Sequence, residues 1–552
     1  MSQNLTSIIA LISPLVFVAV ALASWFQPGF RPKQIIRLSK AATVISMVIA
    51  AFISIQVYRQ TLIESELIGL ADFGLSVRLD ALSIIMLSMI SLLGFIIVKY
   101  SINYLDGDHR QGAFMGRLAA TIAAVQLLVI SGNLGLLLIS WILTSISLHR
   151  LLLFYSDRPG AQLAAKKKFI LARLGDFCLF VAVVLLYQQF GSGNLEVIFS
   201  AIKTGSLAEP RLELAALFLA LAAMLKSAQF PTHGWLIEIM ETPTPVSALL
   251  HAGLLNAGPF LLIRMSFVME LSTYTSVILI IAGGTTALFA SVAYLTQTSV
   301  KTALGYSSVG HMGFSLMTCG LGAYAAALLH LVAHSFYKAH AFLSSGSVID
   351  VVRASKVTKV EKSITPLKVA LGVAMALGLY AAFALLWGMD LKKDAALLLI
   401  GTIIIMGLSR LFTAAIASKW NVKLLAQATG LAVLVTVAFF SLESGMHALL
   451  SEQVPDFSAL QPGRVIAIGL ILVAFSAAIF IQLIAPQLSQ KPFYRVLAIH
   501  IRNGFYANAL FDRWVGALRI RSTEQRPELE QVTFQNSTKK NLEVEALEEQ
   551  LS

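Results

Sequence analysis

Charge is what this chain lacks. Of its 552 residues only 13% are Asp, Glu, Lys or Arg, while 57% are hydrophobic; a soluble globular domain carries about a quarter charged residues. With a mean hydropathy of +0.79, the chain falls outside the soluble class. Cysteine is nearly missing too: Cys178 and Cys319 are the only two. Both lie in apolar stretches without metal-ligand spacing or a disulfide framework, so they read as buried thiols. There is no glycine-rich loop between a strand and a helix, no CxxC pair and no Ser/His/Asp grouping. No catalytic residue, cofactor or metal site is therefore expected within the chain.

What is present is a series of about 15 apolar stretches, each able to cross roughly 30 Å of hydrocarbon. They run from 8–26, through 211–229, 301–320 and 324–349, to 464–485. Open strands would leave edge amides unsatisfied in lipid, so the spans are helices. The first stretch is too long for a removable signal peptide and has no basic leader or cleavage site.

The net charge of +12 is distributed by connection, which argues against nucleic acid as a partner. Arg31, Lys33, Arg37 and Lys40 follow the first span, Arg158, Lys166, Lys167 and Lys168 the fifth, and Arg353, Lys356, Lys359 and Lys362 the eleventh. Glu64, Glu66 and Asp72 follow the second, and Glu443, Glu452 and Asp456 the fourteenth. This alternation obeys the positive-inside rule, with the N-terminus outside and the C-terminus in the cytoplasm.

The expected fold class is all-α: a polytopic membrane protein with broken helices and the inverted repeats that many transporters carry. Residues 1–490 make the transmembrane domain. Residues 491–520 mix aromatic and aliphatic residues with arginines and read as amphipathic helices at the cytoplasmic interface or against a partner. Residues 521–552 form a polar tail too poor in apolar residues to fold alone.

Several ionisable residues interrupt the apolar stretches, and such groups mark ion pathways by default because they are costly in a bilayer. Lys226 lies in LALAAMLKSAQFPTHGW. Pro231 removes a backbone donor there and Gly234 loosens the helix, so the span is expected to break just after the lysine. Snorkelling to the nearby interface is the competing reading. His330, His334 and Lys338 follow one another at intervals of four and share a helix face, with His340 off it. Two histidines at that spacing could hold a metal, but no glutamate, cysteine or further carboxylate completes a ligand set. A proton relay is more economical, and a polar core joining helices is the plain alternative. His251, two turns into the helix opened by Pro243 and Pro245, takes its weight from this company. Arg173 and Asp176, three apart, can pair on one helix surface. Arg264 and Arg410 read as snorkelling side chains.

The runs LALAAMLKSAQFPTHGWLIEIMETPTPVSALLHAG, SVKTALGYSSVGHMGFSLM and LLHLVAHSFYKAHAFLSSGSVID resemble the antiporter-like, proton-translocating membrane subunits of respiratory complex I and multi-subunit sodium/proton antiporters. The resemblance covers residues 70–350. Two departures narrow it. In those families a glutamate follows the tryptophan at the position of Trp141 and pairs with the lysine at that of Lys226; here Ile142 takes its place. Their later lysine helix is reduced to Lys392 and Lys393 in WGMDLKKD. The stretches WILTSISLHRLLLFY, AAKKKFILARLGD and AIHIRNGFYANALFDRW are similar to DabB, the membrane subunit of the DAB inorganic-carbon transporters.

That resemblance implies a multi-pass protein of the bacterial inner membrane. It also implies a large cytoplasmic partner of the DabA type, similar to β-carbonic anhydrases, which carries the zinc. Cation flow, of H⁺ or Na⁺, would then drive hydration of CO2 to bicarbonate, the chain energising its partner rather than catalysing. By position, Lys226, His251, His330, His334 and Lys338 are the implied conduction residues, with Arg173 and Asp176 as a supporting pair. A respiratory or antiporter subunit, or a passive anchor for the hydratase, are the alternatives. Without the glutamate, something else must modulate Lys226.

Overall fold

A backbone in lipid must satisfy its own polar groups, and this chain does so with helices. The computed structural model describes residues 3–515 apart from 71, 156–157, 206–209, 240–241, 347–364, 391–393, 418–421, 457–460 and 489–490. The helices are α1 (Gln3–Ala23), α2 (Lys33–Gln60), α3 (Ala81–Tyr104), α4 (Gln111–Val129), α5 (Leu134–Leu152), α6 (Pro159–Phe190) and α7 (Leu195–Thr204). Next come α8 (Pro210–Lys226), α9 (Gly234–Glu238), α10 (Thr244–Ala252), α11 (Ala257–Arg264), α12 (Ser266–Glu270), α13 (Thr273–Tyr294), α14 (Val300–Gly320) and α15 (Tyr324–Leu343). Then follow α16 (Pro366–Leu386), α17 (Ala395–Ala417), α18 (Val422–Leu450), α19 (Pro462–Leu488), α20 (Pro492–Arg502) and α21 (Ala507–Val515). The four strands, β1 (Ile63–Glu64), β2 (Ile68–Leu70), β3 (Phe73–Leu75) and β4 (Arg78–Leu79), form two small antiparallel pairs, β1 with β4 and β2 with β3.

All fifteen expected spans coincide with helical segments, α10 and α11 together making one. Twelve among the described residues are long and apolar enough to cross a membrane by themselves. The three that fall short are α8, α14 and α15. Helix α8 has 17 residues, and α14 and α15 are diluted by His, Lys, Ser and Gly. These three carry Lys226, His311 and the His330–His334–Lys338 face. All three pack against the α10–α11 segment, which is 94% buried.

Side-chain caps mark where spans begin. Asp80 accepts from Ser83 N, Asn133 from Leu136 N, Asn194 from Val197 N and Ser272 from Thr275 N, each satisfying an orphan donor of a first turn. These four caps lie on the face where α1 begins, as the alternation of helix directions requires. That face is stitched by bridges between Val77 and Ser131 and between Asn133 and Asn194. The opposite face holds the Arg31–Asp106 ion pair at 2.8 Å and the bond from Gly112 N to Gly29 O.

Most of the buried apolar residues, from α1 to α15, form one continuous core. Two smaller clusters follow. One joins α13–α15 to α17 and α19 through residues such as Ile280, Met317, Ile400 and Phe475. The other joins α16, α17 and α18 through Tyr380, Phe412 and Phe440.

Several charges sit differently from their sequence reading. Lys166, Lys167 and Lys168 are not in a connection. Pro159 begins α6 early, as proline does at a first turn, and Lys167 and Lys168 are buried on that helix. Glu443 lies inside α18 and is 3% exposed, rather than in the loop after it. Arg264 does not snorkel. It is 2% exposed and donates to Asp80 Oδ2 at 2.5 Å and to Ser83 Oγ at 2.6 Å. Asp80 also accepts from Arg78 Nε at 2.9 Å, and Arg78 bonds Glu64 and Glu196 at 2.8 and 2.7 Å. Burial alone would raise the Asp80 carboxyl, but the Arg264 and Arg78 guanidiniums hold it well below the usual carboxylate range.

The amphipathic region resolves into α20, a 3₁₀ turn at Gly504–Tyr506, and α21. Asn508 and Asp512 of α21 dock on the opposite face. Buried Lys167 donates to Glu238 Oε1 at 2.6 Å and Asn508 Oδ1 at 3.0 Å, and pairs with Asp512; Asn508 Nδ2 donates to Glu238 Oε1 at 2.7 Å. The basic residues 353–362, Lys392, Lys393, residues 516–552 and the Arg410 side chain lie outside the described residues.

Candidate ion-conduction site

Helix α8 ends at Lys226, where the chain turns through Ala228 at φ 50° before α9 begins at Gly234. The expected break is present. The lysine side chain does not run out to the interface but crosses to α5. Its Nζ donates to Trp141 O at 3.1 Å, Thr144 Oγ1 at 2.9 Å and Ser145 Oγ at 2.7 Å. It also lies 4.2 Å from the centroid of the Trp141 ring, within cation–π range. Three neutral oxygens and a ring face thus enclose the ammonium group. Residues 141, 144 and 145 occupy one side of α5 because they are three and four apart. Half-buried Ile142 offers no oxygen.

Charge around this cage comes from α6. Arg173 and Asp176 pair at 2.6 Å, as their spacing predicts. The Asp176 carboxylate lies within electrostatic range of Lys226, Arg173 and Lys168. Lys168 donates to Ser145 O at 2.7 Å, so Ser145 holds one lysine by its hydroxyl and another by its carbonyl. Neither Lys168 nor the two hydroxyl acceptors stood out in the sequence. The hydroxyls were three and four residues beyond Trp141, a spacing that could have identified them.

The second cluster spans α10, α14 and α15. His334 and Lys338 are buried on α15 and His330 is half-buried, while His340 is exposed. Lys338 Nζ donates to Leu304 O at 3.1 Å. His251 is fully buried at the end of α10, its ring stacked on Phe342 at 4.3 Å, and among the described residues neither of its ring nitrogens has a hydrogen-bond partner. Both nitrogens of His334 are likewise unpartnered. His334 is within electrostatic range of His311, His330, Lys338 and His251.

His311 of α14 was not singled out by sequence. Its Nδ1 lies 3.2 Å from His330 Nε2 and its ring centroid 4.8 Å from that of His334. One of the two imidazoles must donate and the other accept, a geometry that passes a proton. Both His311 and His330 line a cleft of about 420 Å³ together with Ser291, Tyr294, Ser307 and Phe475.

The broken helix α10–α11 lies between the two clusters. Gly253 and the 3₁₀ turn Leu254–Asn256 interrupt it. Ser227, next to Lys226, donates to Leu255 O at 3.3 Å. Asn256 Nδ2 donates to Ser335 Oγ at 2.7 Å, beside His334, and Asn256 Oδ1 is buried without a partner. Gly258 permits this approach: a Cβ there would overlap Ser227 Oγ and Ala223 O. The structure therefore sets Lys226, Ser227, Asn256, His334 and His311 in one row of polar groups, Lys226 and His311 half-buried and the others buried.

Comparison with known proteins follows the same lines. Residues 131–385 match the family described as NADH:quinone oxidoreductase/Mrp antiporter, transmembrane region, and residues 67–115 match the N-terminus of complex I chain 5. The chain is 36% identical over 463 residues to the probable inorganic carbon transporter subunit DabB2 of Halothiobacillus neapolitanus, covering 82% of this chain and 81% of that one. It is 33% identical over 485 residues to the probable subunit DabB of Hydrogenovibrio crunogenus, covering 88% and 89%. Among solved structures, the Mrp complex from Dietzia sp. superposes with a TM-score of 0.63 at 21% identity, covering 95% of this chain and 61% of the other.

Proposed function

We propose, starting from the fact that this chain belongs to the DabB family of inorganic carbon transporter subunits, that it conducts protons across the bacterial inner membrane. Their flow biases hydration of CO2 to bicarbonate by a zinc-containing, β-carbonic-anhydrase-like partner in the cytoplasm. The observation that carries this reading is the row of polar groups from the Lys226 cage to the His311–His330 contact. Polar groups at this depth are expensive and therefore seldom kept without a use in transport. The basic connections face the cytoplasm in this reading, and α20–α21 lie on that side, where the partner docks. Lys226, His251, His330, His334 and Lys338 carry the ion, now joined by His311. Asp176, rather than a glutamate on α5, supplies the charge that Lys226 senses.

The test is growth in air of cells lacking their own carbonic anhydrase, rescued by this chain with its partner. Lys226→Ala, expressed at the normal level, should abolish rescue, and an uncoupler should stop bicarbonate accumulation. Normal rescue by that variant would favour a passive anchor instead. Co-purification of a quinone-linked complex in place of a zinc hydratase would overturn the family-level reading of the partner.

A further inference from the structure

A groove of about 1040 Å³ runs between α1, α4 and α5, away from the conduction axis. Leu11, Leu15, Val18 and Leu22 of α1 line one wall, and Ala120 and Leu143 the other. From Leu11 to Leu22 of α1 it extends about 16 Å at 1.5 Å per helical residue. One leaflet contributes about half of the roughly 30 Å hydrocarbon core, so the groove is long enough to lodge acyl chains along their length.

Its far end is basic. Arg117, His149 and Arg150 line it, on the face that also carries Arg31 and Lys33. Arg117 donates to Arg150 O at 2.8 Å, which sets the two residues side by side. Arg117 and Arg110 both lie over the Phe154 ring, at 5.6 and 4.9 Å. The carboxylates of the adjoining loop are engaged elsewhere: Asp106 pairs with Arg31, and Asp108 accepts from Tyr155 OH at 2.6 Å and Arg110 N at 2.7 Å. Among the described residues neither Arg117 nor Arg150 forms an ion pair.

We propose that this groove is a binding site for a phospholipid with an anionic headgroup, its acyl chains along α1 and α4 and its phosphate between Arg117 and Arg150. Three features converge on that ligand. The groove is apolar over a leaflet's depth, it ends in uncompensated positive charge, and guanidiniums present planar donors suited to phosphate oxygens. Basic pockets between membrane helices hold anionic headgroups for this reason. A helix from a partner protein would fill the apolar length but would leave the two guanidiniums without counter-charge unless it brought carboxylates.

Native mass spectrometry of the purified chain tests this, with phosphatidylglycerol and phosphatidylcholine of identical acyl chains titrated after delipidation. The anionic lipid should bind in preference. Arg150→Gln should lower its affinity about fivefold and Arg117→Gln/Arg150→Gln roughly thirtyfold, leaving phosphatidylcholine binding unchanged. Ala120→Trp, which fills the groove without touching the charge, should reduce both. Thermal melting of each variant separates lost binding from lost folding. Equal binding of the two lipids, or unchanged binding in the arginine variants, would overturn the proposal. So would a photo-crosslinker at Leu15 that labels a partner protein and no lipid in the native membrane.

Discussion

Removing the negative charge of Asp80 should damage this protein more than removing Arg264, one of the two cations that it holds. Asp80 is fully buried and accepts from Arg264, Arg78 and the Ser83 amide. In Asp80→Asn the cap on α3 survives, because asparagine also accepts from a first-turn amide. Arg78 keeps Glu64 and Glu196, but among the described residues Arg264 retains only Ser83 Oγ and Val129 O, at 2.6 and 3.4 Å. A buried cation left without its partner costs about 3–5 kcal/mol. Arg264→Met leaves Asp80 paired with Arg78 and strands no charge; it forfeits the charged hydrogen bond to Asp80, about 1.5–3 kcal/mol, and the bonds to neutral Ser83 Oγ and Val129 O. Melting temperatures at fixed detergent and lipid should therefore fall in the order wild type, Arg264→Met, Asp80→Asn. Adding Arg264→Met to Asp80→Asn should cost nothing or restore stability, since it removes the stranded cation. A double variant that melts clearly below Asp80→Asn would refute the account. The carboxyl is held below its ordinary range, so its contribution is complete above the unfolded value of about 3.9 and is lost only as pH falls through the lower folded value. The penalty of Asp80→Asn should accordingly be constant between about pH 5 and 9, and a penalty that varies across that interval would mean that the carboxyl is not held low.

Two other outcomes follow from the same geometry. Lys167→Met strands Glu238 and Asp512 and should free α21 from α6 and α9, read as faster hydrogen exchange over residues 507–515, while Lys166→Met should not; unchanged exchange would show that the latch does not hold the helix. His311→Phe keeps the ring but deletes the contact with His330, and should lose air-growth rescue as fully as His330→Phe; normal rescue at normal expression would remove His311 from the path.

Much of the candidate site was legible because each residue is an isolated polar group against an apolar background. Lys226, His330, His334 and Lys338 announce themselves in that way, and the Arg173–Asp176 pair follows from helical spacing alone. The break after Lys226 followed from Pro231 and Gly234. What could not be read were partners joined by tertiary packing: Asp80 and Arg264 are 184 residues apart, and Asn256 and Ser335 are 79. His311 carried no local signal, because a single histidine on α14 gains meaning only from the α15 face opposite. The lysines at 166–168 read as a connection because they lie between two apolar stretches, and only the packing of α6 gives two of them buried partners.

Those lysines have one more consequence. Lys167 grips the C-terminal α21, and Lys168, the next residue, grips the Ser145 carbonyl whose own side chain holds Lys226. The anchor of α21 and the wall of the lysine cage are thus separated by a single peptide bond. A subunit that pulled on α21 would be turning a crank whose other arm ends at the ammonium group.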